Sequence, residues 1–173
     1  MNNEEQKVFF RQCIYKALIK LMKMKKFNEI SISEICSVAG VSRMTYYRNY
    51  KNKEDILIEY LDEAFQRYYM ELSKKTPLCN HDFAISFFNY VYEGRDYFEA
   101  VVNAGLSSFF LDKFCTYIDE LLSLIEIKPS EYMNSFISGG LYKILVQWLN
   151  NGLDKTPEEM AGILDQIFGY MGL

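Results

Sequence analysis

The side chains best equipped for chemistry lie close together. From Gly40 to Ile56 the chain reads GVSRMTYYRNYKNKEDI. Arg43, Arg48 and Lys53 carry positive charge, Ser42, Thr45 and Tyr47 carry hydroxyls, Asn49 carries an amide, and Met44 is a long apolar side chain. No acid occurs from Gly40 to Lys53, although the whole chain has a formal net charge of −4. Such groups donate to phosphate oxygens and to base edges, and an acid among them would repel a polyanion. Their chemistry is that of gripping and reading, not of breaking bonds.

The rest of the chain offers little else that reacts. Cys13, Cys36, Cys79 and Cys115 show no CxxC pair and no metal-ligand spacing, and read as buried thiols. His81 is the only histidine, with no nucleophile motif beside it, and is expected in ligand contact or in solvent. No acid/base pair, phosphate loop or metal cluster is evident. The expected sets of catalytic residues, metal ligands and cofactors are therefore empty, and an enzyme is the disfavoured reading.

Charge is unevenly spread. Residues 1–53 carry +7 and residues 54–173 carry −11. The first third alone therefore suits an anionic partner, although KALIKLMKMKKF also reads as a solvated lysine-rich helix face. Half the residues are hydrophobic, which excludes a disordered chain and allows a real core. No apolar run is long enough to span a membrane, and MNNEEQKVFF lacks the pattern of a signal peptide. The expected compartment is the cytoplasm.

The elements that position the basic stretch read as helices. Phe10, Ile14, Ala17, Leu18, Leu21 and Met22 recur at helical spacing and predict an amphipathic helix over 4–25. SISE at 31–34 is a capping-box pattern opening a helix at about 32–39, and Gly40 can adopt the left-handed conformation that stops it. Ser42 caps a third helix at about 43–49. Asn52, with Glu54 and Asp55 in the first turn, opens a long fourth helix that Pro77 closes. Two short helices joined by Gly40-Val41-Ser42-Arg43 have the length of a helix-turn-helix. Ile32, Ile35, Val38 and Val41 supply apolar positions to seat it on the first helix. Further helices are expected near 81–93, 96–104, 107–126, 130–151 and 157–171. Pro129-Ser130 starts one, Asn151-Gly152 ends it, and TPEE at 156–159 starts the last. No segment alternates with period two, so the fold class is all-α.

ISISEICSVAGVSRMTYYRNYKNKEDIL resembles the DNA-binding segment of TetR-type transcriptional regulators, with the resemblance covering roughly residues 8–60. It implies an N-terminal three-helix domain over 1–51, joined by the long fourth helix to a helical effector and dimerisation domain over 52–173. It also implies that Tyr47 and Lys53 touch phosphates and that Arg43, Met44, Thr45 and Arg48 face the major groove or its walls. Ala39, Gly40, Val41, Tyr46 and Tyr50 would serve the fold. Tyr46 and Tyr50 stand where the family more often has Phe, Leu or Ile, so their hydroxyls need partners. Asn49 stands where His is common, and would contact a base or a phosphate.

After residue 75 the resemblance is weaker. GGLYKILVQWLNNGLDKTPEEMAGIL is similar to the C-terminal part of such regulators, where the last two helices form a homodimer. Leu141, Ile144, Leu145 and Trp148 are the expected interface, and Gly139-Gly140 permits close helix approach; the same residues also read as core. The middle is rich in aromatics, among them Phe83, Phe87, Phe98, Phe109, Phe110 and Phe114. Family regulators hold an inducer among these helices, so the resemblance implies a small apolar or aromatic effector. Phe88, Asn89, Tyr92, Asn103, Tyr117 and Gln147 are its candidate contacts. The implied function is a ligand-responsive homodimeric repressor on a pseudo-palindromic double-stranded operator. The alternative is an activator, or a regulator whose second domain binds a partner protein.

Overall fold

In a computed structural model, residues 3–74, 80–105, 107–124 and 130–171 are described. Among them every regular element is helical. Pro77, Cys79, Pro129 and the side chain of Phe109 lie outside the described residues.

The first unit comprises residues 1–65, with Asn103–Gly105 grouped beside them. Helix α1 spans Asn3–Met22 and buries Ile14, Ala17, Leu18 and Leu21, one face at helical spacing. A short 3₁₀ turn, Phe27–Glu29, follows, with Phe27 and Ile30 both buried. Helix α2, Ile32–Ala39, opens on the expected capping box. The Ser31 side chain accepts from the Glu34 amide, and the Glu34 carboxylate accepts from the Ser31 amide. It ends at Gly40, whose φ of 67° is the left-handed conformation glycine adopts without a Cβ penalty. Helix α3, Arg43–Asn49, is capped by Ser42, and α4 spans Glu54–Ser73. Asn52 and Asp55 cap α4 reciprocally: Asn52 Oδ1 accepts from the Asp55 amide at 2.9 Å, and Asp55 Oδ2 accepts from the Lys51 and Asn52 amides at 3.1 Å.

The expected division was at 51/52; the compact units divide further along. Their boundary falls inside α4, after Phe65. The first half of that helix is held by α1: Arg11 pairs with Glu59 at 2.5 Å, and Tyr15 stacks on Tyr60 with ring centroids 3.7 Å apart. Ile56, Leu57, Leu61 and Phe65 are buried there. A helical period runs through a domain boundary without a break, so only packing partners could reveal where the division lies.

The second unit comprises Gln66–Val102 and Leu106–Leu173. Its helices are α5 (Asn80–Glu93), α6 (Arg95–Asn103), α7 (Ser107–Leu124), α8 (Glu131–Asn150) and α9 (Pro157–Met171). Helix α5 packs on α9 and α7 on α8. Aromatic rings fill the core: Phe88 meets Trp148 edge-on at 5.4 Å, and Phe110 and Phe114 both approach Tyr142 at about 6 Å. The Trp148 indole donates to the Lys155 carbonyl at 3.1 Å, and the Trp148 carbonyl accepts from Leu153 at 2.9 Å. These bonds hold the α8–α9 turn, where Gly152 (φ 72°) and Leu153 (φ 58°) are both left-handed. Thr156 and Glu159 then form the expected capping box of α9, at 2.8 and 3.2 Å.

Candidate nucleic-acid interface

Helix α3 sorts its side chains by face. Tyr46 is fully buried and Tyr50, the C-cap, is 5% exposed. Arg43, Met44, Tyr47 and Arg48 stand outward, at i, i+1, i+4 and i+5. Met44 is 65% and Tyr47 50% exposed, values that are unusual for such apolar bodies in a core and natural for a contact surface. The Arg48 guanidinium lies 3.4 Å from the Met44 sulfur, so the two side chains form one outward patch.

The other four expected contact residues are engaged within the chain. Ser42 Oγ accepts from the Thr45 amide at 3.0 Å and shares a hydrogen bond of 3.0 Å with the Thr45 hydroxyl. Asn49 turns back to donate to the Thr45 carbonyl at 2.8 Å, and its Oδ1 is buried with no partner. Lys53 turns inward. Its ammonium donates to the Phe27 carbonyl at 2.5 Å and the Ile30 carbonyl at 2.9 Å, and lies 4.5 Å from the centre of the Phe27 ring. An ammonium has three N–H groups, so at most one remains for an outside acceptor.

The tyrosine hydroxyls depart from expectation. The Tyr46 hydroxyl is buried and has no hydrogen-bond partner, where the sequence called for one at the domain edge. Desolvation pushes the phenols of both Tyr46 and Tyr50 far above their ordinary range. The Arg11 guanidinium sits 5.8 Å from the Tyr50 ring centre and pulls that phenol the other way. Neither phenol ionises near neutral pH, so both act as core rings. The Glu34 carboxyl is held down at about 2, first by its hydrogen bond from Lys25 and then by the Ser31 backbone and hydroxyl. Burial pushes the Cys36 thiol up, which makes it inert. Cys13, Cys36 and Cys115 are unpaired thiols, and no cluster of metal-ligating side chains occurs among the described residues.

The six expected effector contacts do not share one environment. Phe88 and Tyr117 are buried core rings, and Asn89 is half-buried. Tyr92 is exposed and stacks on Trp148 at 6.4 Å, and the Arg95 guanidinium lies 5.2 Å from the centre of its ring. Gln147 is exposed, and Asn103, also exposed, groups with the first unit. The expected dimer residues are also redistributed. Leu141, Leu145 and Trp148 are 7%, 0% and 2% exposed within the single chain, and Ile144 is half-buried. Leu141, Leu145 and Trp148 are thus already covered within their own chain. Outward on α8 stand Tyr132, 86% exposed, and Phe136, 60% exposed, followed by Gly140. The spacing 132, 136, 140 was present in the sequence, opposite the more hydrophobic stripe that drew attention away from it.

A basic, acid-free helix presented by a helix-turn-helix, in a chain whose second unit is all-helical, defines a class of DNA-binding regulators. The chain belongs to the TetR-type family of transcriptional regulators: residues 79–169 match the family described as "Transcriptional regulator C-terminal region". EthR of Mycolicibacterium smegmatis, an HTH-type transcriptional regulator, is 38% identical over 48 residues, covering 28% of this chain and 22% of that one. YxbF of Bacillus subtilis, an uncharacterized HTH-type regulator, is 25% identical over 165 residues, covering 86% and 42%. Against these two relatives the chain therefore spans less than half of their length. DhaS of Lactococcus lactis, the dhaKLM operon transcriptional activator, is 24% identical over 132 residues, covering 75% and 69%. The crystal structure of Lin0861 from Listeria innocua superposes with a TM-score of 0.83 at 17% identity, over 99% of this chain and 95% of that one, and shares the fold. No helix among the described residues is long and apolar enough to cross a membrane.

Proposed function

We propose that this chain is a sequence-specific DNA-binding transcriptional regulator of the cytoplasm, acting as a homodimer on a pseudo-palindromic operator. The exposed face of α3 carries the reading. Two arginines, a methionine and a tyrosine stand outward on one short helix, in a stretch with no acid. The roles divide by chemistry. Arg43 and Arg48 reach guanine edges, for which a guanidinium fork is suited, and Met44 offers an apolar surface to a thymine methyl. Tyr47 gives its hydroxyl to a phosphate. Selection of bound duplexes from a random library tests this, since a chain without the activity enriches no motif.

The dimer rests on glycines that the single chain does not require. A Cβ at Gly139, Gly140 or Gly162 would meet nothing within 4 Å, yet all three lie inside helices. Each costs about 1 kcal/mol of helix stability relative to alanine. A second copy packed closely along α8 and α9, over Tyr132 and Phe136, gives them a purpose. Sedimentation of the purified chain at micromolar concentration tests this.

Two modes of regulation divide the field. A repressor releases DNA when an apolar or aromatic effector binds the second unit, provided the effector binds the two states unequally. Similarity to DhaS, named as an activator, supports the other reading, in which the second unit engages a partner and transcription rises. Reporter expression with and without the chain decides the sign.

A further inference from the structure

We infer that Lys53 is a positioning residue: its ammonium, clasped by the Phe27 and Ile30 carbonyls, fixes the seat of the recognition helix. This rests on the DNA-binding reading above and assigns Lys53 a task different from the phosphate contact that the family resemblance implies. Lys53 lies in the four-residue link between α3 and α4, and its two acceptors lie in the turn between α1 and α2. One side chain therefore ties together the two links that set where α3 lies on its support. Both acceptors are anchored, since Phe27 and Ile30 are 4% and 3% exposed, and the Phe27 ring takes a further face of the cation.

The link is pinned at both ends. Tyr50, the C-cap of α3, is buried, and its amide donates to the Tyr46 carbonyl at 2.9 Å. Asn52 and Asp55 close the α4 side with their reciprocal bonds. Between these fixed points Lys53 ties the link to the α1–α2 turn. Charge-assisted hydrogen bonds to two carbonyls have defined directions, which a packed methionine or leucine would lack. Two of the three N–H groups are thus occupied before any DNA arrives.

Two measurements test the inference. In the wild-type chain, the Lys53 side-chain ammonium is followed by ¹⁵N nuclear magnetic resonance, first free and then with the selected duplex. Protection from solvent exchange in the free protein, unchanged by DNA, is expected. A freely exchanging ammonium, or one that shifts and gains coupling to phosphorus on DNA, overturns it. The first of these outcomes is read without DNA, so a failure of the DNA-binding reading, shown by an empty selection, is a separate result. In parallel, Lys53→Met is titrated against the selected duplex and an unrelated one across salt. The expected result is a loss of about tenfold for the selected duplex, the worth of one aligned base contact, with affinity for the unrelated duplex and the salt slope unchanged. A uniform loss on both duplexes, with the slope of log K against log salt shallower by about 0.9, is the mark of a lost phosphate contact and overturns the inference.

Discussion

Helices α3 and α8 both combine buried aromatic rings with exposed ones, yet their outward faces differ in kind. On α3 the exposed Tyr47 ring and Met44 thioether stand among arginines, so the face is cationic as well as apolar. On α8 the exposed Tyr132 and Phe136 are followed by Gly139 and Gly140, where a Cβ would meet nothing within 4 Å, and no arginine stands among them. A polyanion suits the first, because release of counterions from phosphate drives association. A second helix suits the second, because glycines admit close backbone approach. The inward faces differ as well. Tyr46 brings a hydroxyl into the core with no partner, while Trp148 buries its indole with the N–H satisfied at 3.1 Å. The α3 core is thus chemically imperfect and the α8 core complete.

The largest expected effect breaks the comparison on its inward side. Trp148→Ala should lower stability by about 3–5 kcal/mol, read by denaturant titration, since it empties the ring cluster and frees the α8–α9 turn. A change within error would mean that the Trp148 face is not core. On the outward side, Phe136→Glu should leave the circular dichroism spectrum intact and abolish the dimer in sedimentation, at about 2 kcal/mol or more per interface anchor. A stable dimer in that variant would move the interface off this face of α8.

Smaller effects sharpen the contrast in α3. Tyr46→Phe removes an unpartnered buried hydroxyl and should raise stability, by about 1 kcal/mol, in a thermal melt. A marked loss would show that the hydroxyl has a partner after all. Ser31→Ala removes the cap that seats α2 and should cost about 1 kcal/mol. The bond from Lys25 to Glu34, with the capping box adding to it, also sets a pH dependence. The Glu34 carboxyl is depressed from its ordinary 4.5 to about 2 in the folded chain. Its contribution is therefore fully present above about 4.5 and is lost as pH falls through about 2. Acid titration of Ser31→Ala beside the wild type should show a narrower loss over that window.

How legible the molecule was in its sequence depended on how many readings each residue allowed. Ser31, Gly40, Ser42 and Thr156 each had one structural use, and each has it. The outward set Arg43, Met44, Tyr47 and Arg48 was legible for the same reason, because cations in a short helix have few places to go. Leu141, Leu145 and Trp148 were ambiguous, since an apolar stripe serves a core and an interface equally. Lys53 allowed two readings: motif position marks it as a phosphate contact, while the carbonyls of Phe27 and Ile30, distant in sequence, accept from its ammonium in the single chain. The dispersal of Phe88, Asn89, Tyr92, Asn103, Tyr117 and Gln147 has a similar origin, as aromatic content does not reveal whether rings line a space or fill it.

The central claim is that the outward face of α3 reads duplex DNA. Binding-site selection on the wild type, Arg43→Ala and Tyr47→Phe tests it most directly, with folding checked by circular dichroism. The account predicts a two-fold symmetric motif for the wild type. Arg43→Ala should relax preference at one base pair per half-site, by about 1–3 kcal/mol if it makes a bidentate guanine contact. Tyr47→Phe should weaken all sequences alike, by about 1 kcal/mol, with the motif intact. An unchanged motif in Arg43→Ala together with an altered one in Tyr47→Phe would reverse the roles, and no enriched motif for the wild type would contradict the claim itself.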